Sequence, residues 1–546
     1  MGYYLNSTSA FSLYESETKK PYFVDKTIML EELIPLVEEG NNHICITRPR
    51  RFGKSVMAAM VGAFFGKGAD SGAIFDSLAI AKASLGVPEK DKTCDYRQYM
   101  NQYDVIYINF IETANESSSY DEFITTTKEI LQEDLREAFA DVRFRKKGTA
   151  IQDLQMIYEQ TKKKFILVFD EWDCIFHKTY TTDEDRRSFI NWLAALTKDK
   201  GYVALSYMTG VLPIAKYSSG STINNFDEYT MAVQPRFSEY FGFTDQEVDM
   251  LYDRYLKREK APVIMREDLR LWYDGYHTAG GVKLYNPRSV VKALSNNCLA
   301  SYWTSSGQYM EISTYIMNDR ADVKKDVALM VAGESVPAKL EEYAVTAMSL
   351  NTKNEILSAM VVYGFLNYEK GRVHIPNKEL MDEFAKTIRE RENLGYIHRL
   401  AVESERMLRA TLKGDTKTME EILAFAHNTE TPLLDYNDET ELTAIVNLVY
   451  LAARDYYYVE REDKAGKGYV DFIFYPERAG DDGIILELKV DGTPDAAIAQ
   501  IKDRAYVLKY QGKMAERKRY TGRILLVGIG YSRKKKDHHC KIYIQD

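Results

Sequence analysis

The chain has 546 residues, 45% of them hydrophobic and 28% charged, which is the make-up of folded globular protein and excludes fibrous or wholly disordered chains. This length exceeds what one hydrophobic core fills and predicts roughly three or four domains. Lys and Arg number 72 against 81 Asp and Glu, so the formal charge of −9 excludes a surface that is basic all over, though not a local basic groove.

Five cysteines (Cys45, Cys94, Cys174, Cys298, Cys540) are odd in number, scattered and never spaced CxxC. They predict neither a disulfide framework nor a zinc ribbon. The first twenty residues lack a basic segment followed by an apolar run, and nowhere do 18 apolar residues stand together. A reduced, cytoplasmic protein that does not cross a membrane is expected.

In the first half, short apolar runs alternate with amphipathic stretches. Strands are predicted at His43–Thr47, Val105–Phe110, Phe165–Phe169 and Val203–Met208, and helices at Lys54–Phe65, Tyr120–Phe139 and Asp185–Thr197. Such alternation predicts a parallel sheet covered on both faces. Directly after the first strand stands RPRRFGKS, Arg48 to Ser55. Gly53 allows a tight turn against a phosphate, and the following amides form an anion nest at a helix N-terminus. Lys54 would reach the β- and γ-phosphates of a nucleotide such as ATP, and Ser55 would ligate Mg²⁺; Arg50, Arg51 and Phe52 complete the loop. The first glycine of the usual phosphate-loop pattern is replaced by Arg48.

The strand Phe165–Phe169 runs into Asp170 and Glu171. The first acid is placed to hold the Mg²⁺ shell and the second to polarise an attacking water. The strand from Val203 ends at Thr209, which is either a sensor of the γ-phosphate or a hydroxyl that closes the strand end. Arg236 reads as a surface charge rather than as an arginine finger.

Thr244 to Glu247 is a capping-box signature that opens a mostly helical stretch reaching about Glu405. Within it, the helix Glu355–Tyr363 precedes two strand-like runs around Glu369-Lys370-Gly371, the order of a winged-helix-like unit. The last part predicts a helix at Glu439–Ala453, strands at Tyr469–Tyr475, Ile484–Val490 and Ile524–Ile529, and a helix at Asp495–Tyr510.

Asp471 lies among apolar neighbours, and a polar hairpin (PERAGDDG) leads on to Ile-Ile-Leu-Glu-Leu-Lys-Val. Strand side chains alternate, so Glu487 and Lys489 share one face and the hairpin can set Asp471 beside them. Two carboxylates and a lysine suit a Mg²⁺ or Mn²⁺ site at which a water attacks a phosphodiester. Glu-x-Lys alone would equally make a salt pair on one strand face. Charge runs at Arg145–Lys147 and Arg533–Lys536 read as solvated turns. Asp537-His538-His539-Cys540 reads as a polar turn rather than a metal site, and the 40 tyrosines read as core and rim packing.

Together YFVDKT (Tyr22–Thr27), the RPRRFGKS loop, FDEWD (Phe169–Asp173), TGVLPIAK (Thr209–Lys216), WYDGY (Trp272–Tyr276) and Tyr285-Asn286-Pro287 resemble the bacterial AAA-ATPase-like family. In that family the Arg-Pro-Arg-Arg-Phe loop is usual, so the resemblance implies ATP binding despite Arg48. The C-terminal Asp-x(15)-Glu-x-Lys pattern resembles the PD-(D/E)xK nuclease superfamily, with Val470 where a proline is customary. This second resemblance implies a role for Gln500 on the following helix and an acid from the preceding one, Glu441 first and Glu439 second.

The expected architecture is α/β. It comprises a P-loop parallel-sheet ATPase domain (1–240), a helical lid with the winged-helix-like unit (241–405) and a PD-(D/E)xK nuclease-like domain (406–546). The expected function is an ATPase coupled to a metal-dependent nuclease acting on nucleic acid, DNA more than RNA, in a chain that could form a homo-oligomer. The alternative is a nucleotide-switched regulator that binds DNA or protein through an inactive nuclease fold. From Ala515 to Lys536, Lys and Arg far outnumber the single acid Glu516, so the mean charge conceals local basic ground.

Overall fold

In the N-terminal part five strands carry the architecture: β1 (Asn42–Thr47), β2 (Asp104–Asn109), β3 (Phe165–Asp170), β4 (Val203–Gly210) and β5 (Asp227–Thr230). A computed structural model describes residues 2–85, 96–214, 225–232, 234–303, 321–340, 352–390, 396–427, 439–460, 471–504, 506–516 and 522–545. All five strands are parallel and ordered β2-β3-β4-β1-β5. Every residue of β3 and β4 is buried, as expected where helices cover both faces. Register sets Thr47 beside Gly210 and Phe169 beside Met208, so β1, β3 and β4 end along one edge.

The helix α1 (Lys54–Phe65) leaves that edge, apolar around most of its circumference and buried along ten of its twelve residues. It is the central helix of the core, packed against the helix Ser9–Thr18. Gly62 permits the approach: a Cβ there would lie 2.8 Å from Ala10 Cβ.

The structure forms two units, Met1–Ser305 with Ala338–Gly371, and Ser306–Pro337 with Arg372–Asp546. In the first unit the predicted capping box is present: Thr244 caps α2 (Asp245–Arg258) and accepts from Glu247 N–H, while Glu247 accepts from Thr244 N–H. The helix α3 (Pro287–Asn296) follows, with Asn286 as its cap and proline in its first turn. The helix Lys353–Val362 and the strands Asn367–Glu369 and Arg372–His374 form where a helix and two strands were expected, and the division between units falls between the two strands.

The second unit contains the helix α4 (Glu439–Val449) and a five-stranded mixed sheet. The sheet runs in the order β6 (Tyr457–Glu460), β7 (Phe472–Pro476), β8 (Gly483–Val490), β9 (Ile524–Ser532), β10 (Asp537–Gln545). The β8–β9 pair is parallel and the others antiparallel. The parallel pair requires a crossover, supplied by α5 (Pro494–Asp503) and α6 (Tyr506–Glu516).

Two expectations are corrected. The helix predicted as Asp495–Tyr510 is two helices, broken after Asp503. In one continuous helix Leu508, seven residues after the buried Ile501, would face the core; the break instead turns Tyr506 and Tyr510 inward and leaves Leu508 69% exposed. Asp537 to Cys540 is not a turn but the start of β10, with His538 and Cys540 facing inward. The turn is the run Arg533–Lys536, solvated as expected, and Arg145–Lys147 is exposed likewise. Among the described residues no disulfide forms, and no helix is long and apolar enough to cross a membrane.

Gly62→Val should overpack the contact with Ala10 and destabilise the protein by about 1–3 kcal/mol, read as a lower midpoint in thermal or denaturant melting.

Candidate active sites

The loop between β1 and α1 borders a cavity of about 560 Å³. Its lining is polar at Arg50, Arg51, Gly53, Lys54, Ser55 and Glu171 and apolar at Tyr22, Phe23, Val24, Phe243 and Val291. Gly53 adopts φ +88°, a left-handed conformation that favours glycine, and no atom would crowd a Cβ there. Backbone geometry, not space, selects this residue.

Lys54 Nζ donates to the carbonyls of Arg48 (3.0 Å) and Pro49 (3.1 Å), so the loop curls around its own lysine. Burial lowers the Lys54 pKa, while the charges of Glu171, Asp173 and Asp170 act in the opposite direction. The outer side of the loop is braced: Trp303 Nε1 donates to Arg50 O (3.0 Å), and the Phe52 ring meets Tyr276 edge-on at 5.0 Å.

Arg48 takes no part in the cavity wall. It is 1% exposed, donates through Nη1 to Thr47 O and Tyr229 O (2.7 Å each) and lies 5.0 Å over the Phe241 ring. Arg48 turns into the core and fixes the base of the loop to β5, while Arg50 and Arg51 reach the cavity.

At the end of β3, Asp170 is fully buried. Its Oδ1 accepts from the Thr209 hydroxyl at 2.6 Å, and its Oδ2 has no hydrogen-bond partner among the described residues. Burial and the adjacent Glu171 charge push the Asp170 carboxyl up to about 6, against the Thr209 and Ser55 hydroxyls and Lys54. Thr209 is therefore engaged with the acid at the end of the neighbouring strand. Glu171, at φ +54°, turns out of the strand to line the cavity. Asp173 accepts from the amides of Val211 (3.0 Å) and Leu212 (2.8 Å) and so shapes the segment after β4. Arg236 pairs with Glu32 at 3.0 Å and is absent from the cavity lining, in line with its reading as a surface charge.

Sequence reasoning assigned no role to several residues that meet here. In YFVDKT, Asp25 accepts from Thr27 N–H (2.9 Å) and Ala79 N–H (2.6 Å) and shapes the turn. Lys26 donates to Glu239 O and to the capping-box acid Glu247 (both 2.8 Å), which ties the cavity wall to the start of α2. Arg288 and Lys292 on α3 add positive charge to the wall, and the charge of Arg288 is felt at Arg51. Their signal was the Asn-Pro-Arg order of a capped helix start, which does not reveal what the helix faces.

The second site is in the mixed sheet. Phe472 pairs with Leu486 in antiparallel register, which brings Asp471 level with Glu487. Asp471 stands just before β7, and its Oδ2 accepts from Leu488 N–H at 2.6 Å. Lys489 Nζ donates to Glu487 Oε1 at 2.9 Å, as expected for strand residues two apart. Gln500 on α5 donates to the same oxygen. Glu487 is 2% exposed, and its Oε2 is buried without a hydrogen-bond partner among the described residues. Burial and the Asp471 charge push the Glu487 carboxyl up to about 7, against Lys489 and Arg504.

The structure thus brings Asp471, Glu487, Lys489 and Gln500 together. The backbone of α4 packs against β8, but the side chains of Glu439 and Glu441 lie outside the described residues, as does Val470. Among the described residues no group of three His, Cys, Asp or Glu is placed to hold a metal ion. The Asp471–Glu487 pair fits a divalent cation nonetheless, because its buried oxygen lacks any other partner. By the same test Asp170 fits one beside Ser55.

Residues 10–219 match a family described as predicted AAA-ATPase, and residues 439–536 match the PD-(D/E)XK nuclease superfamily. A curated relative from Azotobacter chroococcum mcd 1, an uncharacterized protein in the vnfD 5′ region, is 24% identical over 300 residues, which are 52% of this chain and 51% of that protein. The match therefore spans about half the length of that relative. Among solved structures, the Walker-type ATPase PABY2304 of Pyrococcus abyssi is 12% identical, with 66% of this chain and 94% of that one covered at a TM-score of 0.33. The Aeropyrum pernix ORC2 protein, as ADPNP–ADP complexes, is 12% identical, with 65% and 92% covered at a TM-score of 0.28. Likenesses this loose carry no argument. The two matched segments contain the phosphate loop with Asp170 and the Asp471–Glu487–Lys489 set: the chain carries a predicted AAA-ATPase domain over residues 10–219 and a PD-(D/E)XK nuclease superfamily domain over residues 439–536.

Proposed function

We propose that the chain binds and hydrolyses ATP in its first unit and uses this to control a metal-dependent phosphodiesterase in its second, acting on DNA rather than RNA. The observation that carries the reading is the convergence of Asp471, Lys489 and Gln500 on a buried Glu487 whose second oxygen has no partner among the described residues. A purely structural Glu-Lys pair would not leave a carboxylate oxygen buried and unsatisfied, since that costs stability.

In the first site the apolar lining suits a nucleotide base and the polar loop its phosphates. Lys54, Arg50 and Arg51 supply positive charge, the amides after Gly53 supply donors, and Glu171 orients the attacking water. Ser55 and Asp170 would hold Mg²⁺ beside the phosphates. Thr209 fixes the Asp170 carboxylate and so acts on phosphate only through it.

In the second site Asp471 and Glu487 would hold the cation, Mg²⁺ or Mn²⁺, with Glu441 as a third acid. When bound, it supplies charge that offsets the negative charge developing on a phosphodiester. Gln500 holds Glu487 in place, and Lys489 orients the water that attacks. This reading carries with it a cytoplasmic setting, an assembly of several copies and the three-part division 1–240, 241–405 and 406–546. If DNA is bound but never cut in Mg²⁺ or Mn²⁺, the nucleotide-switched binding protein replaces the nuclease.

Lys54→Ala should abolish ATP turnover; undiminished turnover would remove the loop from the chemistry. Asp170→Asn should abolish turnover and yet stabilise the fold. The Asp170 carboxyl titrates near 6 when folded against about 3.9 when unfolded, so wild type carries the cost of a buried charge above pH 6 and sheds it as pH falls. The variant should gain roughly 1–3 kcal/mol at pH 7–8, shrinking between pH 6 and pH 4, as thermal melts across that range would read.

Lys489→Ala should cut DNA cleavage by about two orders of magnitude or more in Mg²⁺ or Mn²⁺, and equal nicking by the variant would exclude Lys489. Glu487 must lose its proton to hold a cation, so Mn²⁺ affinity measured by calorimetry should rise with pH through about 7. A flat profile would detach Glu487 from the metal.

A further inference from the structure

The second site contains a cation that its internal network does not consume. Arg504 is the C-terminal cap of α5 and donates its N–H to Gln500 O at 3.2 Å, one helical turn beyond the residue that holds Glu487. Residues four apart share a helix face, so Arg504 follows Gln500 toward the site. The break between α5 and α6 is what leaves Arg504 at an exposed corner instead of in a helix interior.

Three neighbouring basic residues are committed to carboxylates: Lys513 to Glu460, Arg533 to Asp491 and Lys541 to Asp495. Lys502 lies over the Tyr543 ring. Among the described residues no carboxylate lies within ion-pair distance of the Arg504 guanidinium. Its partner is the hydroxyl of Tyr506, whose ring packs in the core cluster with Ile501 and Tyr510. A rigid ring thus steers a flexible side chain, and the charge it positions is felt at Glu487.

A planar guanidinium with open donors, held beside a carboxylate pair and facing solvent, matches the geometry of a phosphate. We propose that Arg504, steered by Tyr506, anchors a backbone phosphate of the nucleic-acid strand that lies across Asp471, Glu487 and Lys489. The inference rests on the reading of that site as a phosphodiesterase and adds the residue that places the strand on it. Arg504 is a positioning residue and takes no part in proton transfer.

The test uses the full chain and a labelled DNA oligonucleotide, with Ca²⁺ to read binding and Mn²⁺ to read cutting. Arg504→Ala should weaken binding roughly tenfold and raise KM by a similar factor while kcat changes little. The slope of log affinity against log salt should fall by about one phosphate contact, a change that a merely structural residue would not produce. Arg504→Lys should recover part of the affinity, since it restores the charge without the fork. Unchanged affinity and salt slope in Arg504→Ala, in a protein whose wild type binds and cuts, would overturn the anchor alone. A folded wild type that neither binds nor cuts would overturn the phosphodiesterase reading and the anchor with it.

Discussion

A carboxylate removed from water must be neutralised by a proton, a cation or a full set of donors, and both sites of this chain are built around one that has too few. Asp170 and Glu487 are each buried, each satisfied at one oxygen and each left with the other unpartnered among the described residues. Both carboxyls are pushed up toward neutrality for the same first reason, loss of solvent, and a neighbouring acid adds to it. Such groups weaken a fold, and they are retained where a ligand supplies the missing charge.

The two sheets deliver these acids by different routes. In the parallel sheet, register alone brings the ends of β1, β3 and β4 to one edge, so the phosphate loop, Asp170 and Thr209 meet although far apart in sequence. In the mixed sheet a hairpin does the work, setting Asp471 level with Glu487, and strand alternation returns Lys489 to the same face. A helix then supplies the remaining polar contact in each place: α1 presents Lys54 and Ser55, and α5 presents Gln500.

Much of this was legible in the sequence because it depends on short-range rules. A run such as FILVFD can only be a buried strand ending in an acid, and GKS after a strand fixes a turn at Gly53 followed by a helix. Glu-x-Lys on a strand fixes a shared face whatever surrounds it. Residues whose meaning depends on a distant partner were not legible. Lys26 becomes part of the first site only through Glu247, and Arg288 only because α3 folds over the cavity. Leu508 lies within the predicted helix Asp495–Tyr510 at core spacing from Ile501, yet the break before Tyr506 turns it to solvent.

The sequence by itself therefore determined the main strands of both sheets, the phosphate loop and the carboxylate–carboxylate–lysine set, since these follow from local backbone geometry and side-chain period. The tertiary structure alone decided where side chains of ambiguous role go. Arg48 stands in the phosphate loop where a glycine is usual, yet it lies buried on Thr47, Tyr229 and Phe241. The −9 charge averages over such choices, because a cation acts on a ligand only where packing leaves its donors facing one.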